Sequence, residues 1–221
     1  MLTFREQDGF EEKGENGSYV LRGFVTCFPA GFDTKEKFGM RLRDVHAPVP
    51  GYKAKLERSM DRFFARLEVG RVVMRSNWSI TTHDRLFAAK EHNHLYEGEE
   101  VVEEVVDIDN VRPFFLPSFL RLLSSFVGGG GWLDGGVLTS SPTYQTYLRC
   151  ERQLLHRLPH TKALVFSFKT YLYPIRELKE EGSGPELADA IEGLKEGSVP
   201  QMWFYKRGVV WGEKVCEFLR S

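Results

Sequence analysis

Between Lys53 and Val69 the apolar side chains Leu56, Met60, Phe63, Phe64 and Leu67 stand at i, i+4, i+7, i+8 and i+11, with Arg58, Arg62 and Arg66 on another face. That period predicts an amphipathic helix over 53–69, ended by Gly70. A period of two dominates elsewhere. Tyr19–Phe28 (YVLRGFVTCF), Arg71–Ile80 (RVVMRSNWSI) and Ala163–Tyr173 (ALVFSFKTYLY) are rich in aromatic and β-branched residues and predict strands. In the second of these, alternation puts Val73, Arg75, Asn77 and Ser79 on one face and Val72, Met74, Ser76, Trp78 and Ile80 on the other. This strand is expected to be central and half-buried. Tyr147–Gln153 reads as extended, and Leu154–Leu158 as helical or turn-like up to Pro159. Pro174 starts a short helical segment. Pro185–Glu196 reads as a helix with Leu187, Ile191 and Leu194 inward, and Gly212–Arg220 as a terminal helix packing Val215 and Leu219. Lys35–Val45 shows no clear period. His46–Gly51 (HAPVPG) holds two prolines and a glycine, and is expected to run extended into a turn.

Strands and helices alternate irregularly and some links are short. That favours an α+β fold around an antiparallel sheet over a doubly wound parallel one. Residues 1–18 read as a flexible, solvated arm, and 19–221 as a single domain. Residues 113–146 combine a short apolar run with a Gly-rich stretch from Gly128 to Gly131, and read as an insertion.

Composition narrows the class. Of 221 residues, 42% are hydrophobic and 28% charged, enough for a packed core. Thirty basic and 31 acidic residues leave a net charge of −1, so the chain lacks the basic footprint of a nucleic-acid binder. No uncharged apolar stretch is long enough for a membrane span, and the polar, acidic N-terminal stretch resembles neither a secretory signal nor a transit peptide. Three widely spaced cysteines argue for a reducing, intracellular setting, the cytoplasm being the expectation. They are also too few for the four thiolates of a ferredoxin-type cluster.

Several residues can carry chemistry. His46 lies in the stiff Pro-rich segment, where it is either an axial ligand to haem iron or a hydrogen-bonded turn histidine. His83, His92 and His94 fit no zinc spacing and read as a polar loop. Arg75 and Asn77 share a strand face. Glu151, Arg152 and Gln153 enter an apolar segment, where they either polarise a ligand or pair with one another. The glycine run lacks the Lys-Ser/Thr of a phosphate loop, and no GxSxG elbow occurs.

Three longer strings say more. They are Cys27-Phe28-Pro29-Ala30-Gly31-Phe32 with Lys35-Glu36-Lys37-Phe38-Gly39 and His46-Ala47-Pro48-Val49-Pro50-Gly51; then Arg75-Ser76-Asn77-Trp78-Ser79-Ile80; then Glu151-Arg152-Gln153-Leu154-Leu155-His156-Arg157-Leu158-Pro159 leading to Phe166-Ser167-Phe168-Lys169-Thr170-Tyr171. In this order they resemble the haem-dependent oxidative N-demethylase alpha-subunit-like proteins, whose fungal members are called HRQ family proteins. Trp203–Leu219 resembles the fungal branch. The resemblance covers about 20–80 and 147–220.

The resemblance implies a PAS-like antiparallel sheet flanked by helices and holding haem b. It also implies oxidation of a small methylated amine by O₂ with release of formaldehyde. Electrons would come from a partner reductase, with FMN and an iron–sulfur cluster only on partner subunits. On that reading His46 is the metal ligand. Arg75, Asn77, Glu151 and Arg152 are the catalytic candidates, and Arg75 and Arg152 also contact the cofactor. The rival readings are a non-catalytic haem or gas sensor, and a fold-only relative acting as an interaction module. Nucleic acid and membrane are not expected as partners.

Overall fold

The structure, a computed structural model, describes residues 1–6, 19–89, 93–104, 106–108 and 146–221. Among these residues five strands form one antiparallel sheet: β1 Leu2–Glu6, β2 Tyr19–Phe24, β3 Val72–Thr81, β4 Tyr147–Arg157 and β5 Leu164–Pro174, in the order β2-β1-β5-β4-β3. The helices are α1 Leu42–His46, α2 Glu57–Arg66, α3 Ile175–Glu180, α4 Gly184–Glu196, α5 Gln201–Tyr205 and α6 Gly208–Arg220. A π-helical turn, Tyr52–Leu56, leads into α2. The α+β class read from the sequence is the observed one.

Strict alternation gives the sheet two faces. The first carries Leu2, Phe4, Leu155, Leu164 and Phe166 at one end. There they pack with Leu42 of α1, Met60 and Phe64 of α2, and Leu67. The second face carries Trp78, Ile80 and Leu148, which pack against Ile175, Ala188, Ile191, Trp211, Val215 and Leu219 of the C-terminal helices. Gly208 and Gly212 lie one helical turn apart beneath the Trp203 ring. A Cβ would come within 2.4 and 1.9 Å of that ring, so only glycine lets it seat.

Arg157 closes the C-terminal end of α2. Its guanidinium donates to the carbonyls of Phe64 and Leu67, the latter at 2.7 Å, and to the Tyr19 hydroxyl at 3.0 Å. Helix carbonyls at that end have no intrahelical donor, and this strand residue supplies one.

Four expectations need correction. The start of the chain is not an arm: Leu2–Glu6 pairs with β2 on one side and β5 on the other, and Leu2 and Phe4 are 5% and 4% exposed. Five residues carry too little pattern to be read as a strand, but two neighbours satisfy their backbone. Residues 7–18 lie outside those described. Leu154–Arg157 is not helical. It continues β4, because Met74 and Val73 pair it from one side and Ser167 and Phe166 from the other, and the two ladders override local preference.

His46–Gly51 is not extended. His46 ends α1, and successive turns follow through Val49 N–H to His46 O (2.9 Å) and Tyr52 N–H to Val49 O (3.2 Å). Proline fixes φ near a value that turns and extended chain share, so it does not choose ψ. Finally, β3 is the outermost strand of the described sheet, not a central one, with Val72 and Met74 exposed. Trp78 does lie opposite Asn77, as alternation requires. The proposed insertion lies mostly outside the described residues.

If β1 is core, Phe4→Ala should cost about 3–5 kcal/mol in urea unfolding, the usual range for an emptied buried phenylalanine site. A change below about 0.5 kcal/mol would return this segment to the surface.

Candidate functional site

The middle of the first sheet face is polar. In register, Arg75 lies across from Gln153 and Asn77 from Glu151. On the other side of β4, Gln153 meets Phe168 and Glu151 meets Thr170. Arg75 Nε–H donates to Gln153 Oε1 at 2.5 Å, and Gln153 Nε2–H donates to Glu151 Oε2 at 3.0 Å. The amide therefore bridges a cation and a carboxylate, using its acceptor for one and its donor for the other. Gln153 and Thr170 form a buried floor, while Arg75 and Asn77 stand exposed above it. The Thr170 hydroxyl is shut off from water and has no partner among the described residues.

His46 comes to this region from α1. Its Nδ1 lies 2.9 Å from the Leu42 carbonyl, and its ring stacks on Tyr52 with centroids 5.1 Å apart. Because a carbonyl only accepts, Nδ1 carries the proton and the neutral ring keeps its lone pair on Nε2. Burial lowers the His46 pKa. The Leu42 bond opposes that shift, while the charges of Arg75 and Lys37 add to it.

Beyond Glu151 the face is walled by two loops held by Arg149, which is 1% exposed. Its guanidinium donates to the carbonyls of Arg85 (3.0 Å), Phe28 (3.3 Å), Pro29 (3.1 Å) and Leu86 (2.8 Å). The same loops join through Gly31 N–H to Ala88 O (2.6 Å) and Ala88 N–H to Pro29 O (3.0 Å). Gly31 has φ +67°, and a Cβ there would lie 2.2 Å from His94 Nδ1. Glycine is thus required both by conformation and by the ring beneath it. His94 stacks on Tyr205 at 4.4 Å, and its Nδ1 is shielded without a partner among the described residues. Desolvation, with the charges of Lys206, Arg149 and Arg207, pushes its pKa down to about 3.

Lys206 completes this side. It is 7% exposed. Its ammonium donates to Asn77 Oδ1 at 3.2 Å and to the Trp78 carbonyl, and lies 5.3 Å from the Trp78 ring centroid. Next to it, Arg207 pairs with Glu104 at 2.7 Å.

Of the residues singled out from sequence, Arg75, Asn77 and Glu151 share the polar face, and the Arg75 charge reaches His46. Arg152 does not join them. As the residue after Glu151 on a strand it points to the second face, where its Nε contacts Met74 Sδ at 3.3 Å. His94 is not a polar-loop residue but a shielded, neutral one, His83 bonds locally to Arg85 N at 3.2 Å, and His92 lies outside the described residues. Sequence reading passed over Lys206, Thr170 and Arg149. Lys206 sits in a run of aromatics with no local signal, and only the packing of the C-terminal helices brings it to β3. Among the described residues no group of three or more His, Cys, Asp or Glu could hold a metal ion. None of the described helices is long and apolar enough to cross a membrane.

Residues 4–122 and 137–216 match the family described as haem-dependent oxidative N-demethylase, alpha subunit-like. That is most of the chain, and the chain belongs to this family. The gap in the match is shorter than the insertion expected at 113–146. The residues present fit a haem. His46 offers a neutral imidazole with an anchored Nδ1 and its lone pair on Nε2, the arrangement an iron ligand needs. The orphaned Thr170 hydroxyl lies on the same sheet face, where a bound group can satisfy it.

The His94 shift has a testable sign. Between about pH 6.5 and about 3 the unfolded chain carries a proton on this ring that the folded chain does not. Its contribution to stability is therefore full above about pH 6.5 and is lost as the pH falls through that window. The urea midpoint should drop between pH 7 and pH 4.5, and His94→Gln should flatten the slope. An unchanged slope would mean that the ring is solvated and titrates normally.

Proposed function

We propose that this chain holds haem b against the polar face of its sheet and serves in the oxidative N-demethylation of a small methylated amine, with electrons from a partner reductase. The observation that carries the reading is His46: a neutral imidazole, tautomer fixed by Leu42, on the polar side of the sheet in a member of this family. The single antiparallel sheet with helices on its faces supports the PAS-like description.

In this reading His46 would hold the haem iron through Nε2, with the Leu42 carbonyl keeping the ring from turning. Haem, when bound, supplies the oxygen chemistry: the N-methyl carbon leaves as formaldehyde with one oxygen atom of O₂, the other atom leaves as water, and two electrons and two protons are taken up. In the same reading Arg75 and Asn77 would present donors beside the buried floor to orient a bound acceptor, and Arg75 would pair with a haem propionate. Glu151, tied to Arg75 through Gln153, holds that guanidinium in place and balances its charge. Electron supply from FMN and an iron–sulfur cluster on other subunits is consistent with the family's description as an alpha subunit.

His46→Ala should fold, since the loss of one hydrogen bond and a stacked ring near a helix end costs only about 1–2 kcal/mol. In a haem titration followed by absorption, the wild type should give a Soret band. The variant should bind haem weakly or with a shifted band that added imidazole restores. A variant with the wild-type spectrum would remove His46 as ligand, and a wild type that takes up no haem would remove the function.

A further inference from the structure

We propose that Lys206 is a positioning residue of this face: its ammonium fixes the Asn77 amide with the Nδ2 hydrogens turned outward, toward a ligand that accepts hydrogen bonds. The inference deepens the reading of the face as a ligand site and rests on it. The argument begins with donor chemistry. A lysine ammonium has three hydrogens and no acceptor, so the Asn77 atom it meets at 3.2 Å must be the carbonyl oxygen. The amide cannot then present that oxygen to a ligand. Asn77 is itself exposed, and its Nδ2 has no partner within the described chain. Two hydrogens therefore face outward beside Arg75 and above Glu151. Arg75 and Asn77 both present donors on this face, which selects a lone-pair ligand and disfavours a second donor.

Lys206 is well held for such a role. It is 7% exposed and braced by the Trp78 carbonyl and ring, and its backbone carbonyl accepts from Trp211 Nε1 at 3.0 Å. The charged groups that face it are Glu151 from β4 and Arg75 from β3, with the neutral ring of His94 packed nearby. Burial, offset by Glu151 and reinforced by Arg75, brings its pKa down to about 8. A neutral amine has a lone pair, so loss of the proton frees the Asn77 amide to invert.

The orientation can be read without any ligand. The Asn77 side-chain amide signals of the ligand-free protein, identified by their loss in Asn77→Ala, are followed by ¹⁵N-correlated NMR from about pH 6.5 to about 9.5, spanning the lysine transition. They should shift in one step in the wild type and show no step in Lys206→Met. Signals that stay fixed in the wild type overturn the proposal, and that arm needs no variant to fold. The same step persisting in Lys206→Met overturns it too. In haem-loaded protein, with azide as the acceptor probe at pH 7, Lys206→Met and Asn77→Ala should each weaken binding about tenfold, one hydrogen bond's worth. The double variant should lose no more than either, because the two act as one unit. Additive losses would show that they act independently. A wild type that takes up no haem defeats the function proposed above, while the amide titration still decides the role of Lys206.

Discussion

The candidate site depends on one buried cation. Arg149 brings a guanidinium into the interior of the sheet's first face and fills it with carbonyls from two separate loops. A charge in such a place is costly unless its hydrogens are nearly all used. Here the carbonyls are equally in need of donors, since both loops cross over the sheet without a strand of their own to pair with. Nη1 and Nη2 meet both needs together, although Nε has no partner among the described residues, and both loops are fixed in position by these bonds. From there the placement passes outward through contacts. Gly31 lies over His94, His94 stacks on Tyr205, and the residue after Tyr205 is the lysine that holds Asn77. The Leu95 N–H to Tyr205 O bond, 3.0 Å, ties the same loop to the C-terminal helices. A face built from β3 and β4 is thus walled by parts of the chain far apart in sequence.

Within that wall the polar groups are not interchangeable. Each amide has its oxygen and nitrogen assigned by a neighbour that can only donate or only accept: Gln153 by Arg75 and Glu151, Asn77 by Lys206. Preorganised donors of this kind need little rearrangement when a ligand arrives, which is where a fixed dipole gains over water. His46 follows the same logic from the helical side, its tautomer set by a backbone carbonyl.

Much of this was legible from sequence where a period or a long motif existed. Alternation along Arg71–Ile80 put Arg75 and Asn77 together and Trp78 opposite, and the sheet keeps that arrangement. The helices at 185–196 and at the C-terminus followed from their apolar spacing. So did the one expected over 53–69, although it opens with the π-helical turn Tyr52–Leu56 and ends at Arg66 rather than at Gly70. The short helix Gln201–Tyr205 had no such spacing to show it. What failed was decided by pairing at a distance. Leu154–Arg157 looks helical alone and is a strand because two ladders hold it. Arg152 looked equivalent to Glu151, but a period of two separates neighbours onto opposite faces. Arg149 reads as one more charged residue in a strand, and nothing in its vicinity along the chain announces the loops that it binds. Lys206 is silent for the same reason.

The position of β1 bears on how the molecule is made. Leu2 lies opposite Phe24 on one side and Phe166 on the other, so one of its ladders forms with the next strand and the other with a strand reached only at residues 164–166. A chain emerging from the ribosome can join β1 to β2 early, but two strands alone are marginal in water. Their apolar side chains, Leu2, Phe4 and Leu21, lack the cover of Leu164 and Phe166 until β5 has been synthesised. Topologies closed by such distant pairs assemble slowly, because the loop entropy is lost before the contacts are gained. The waiting time for this protein is therefore set by its fifth strand, during which its first two are the surface that a chaperone would find.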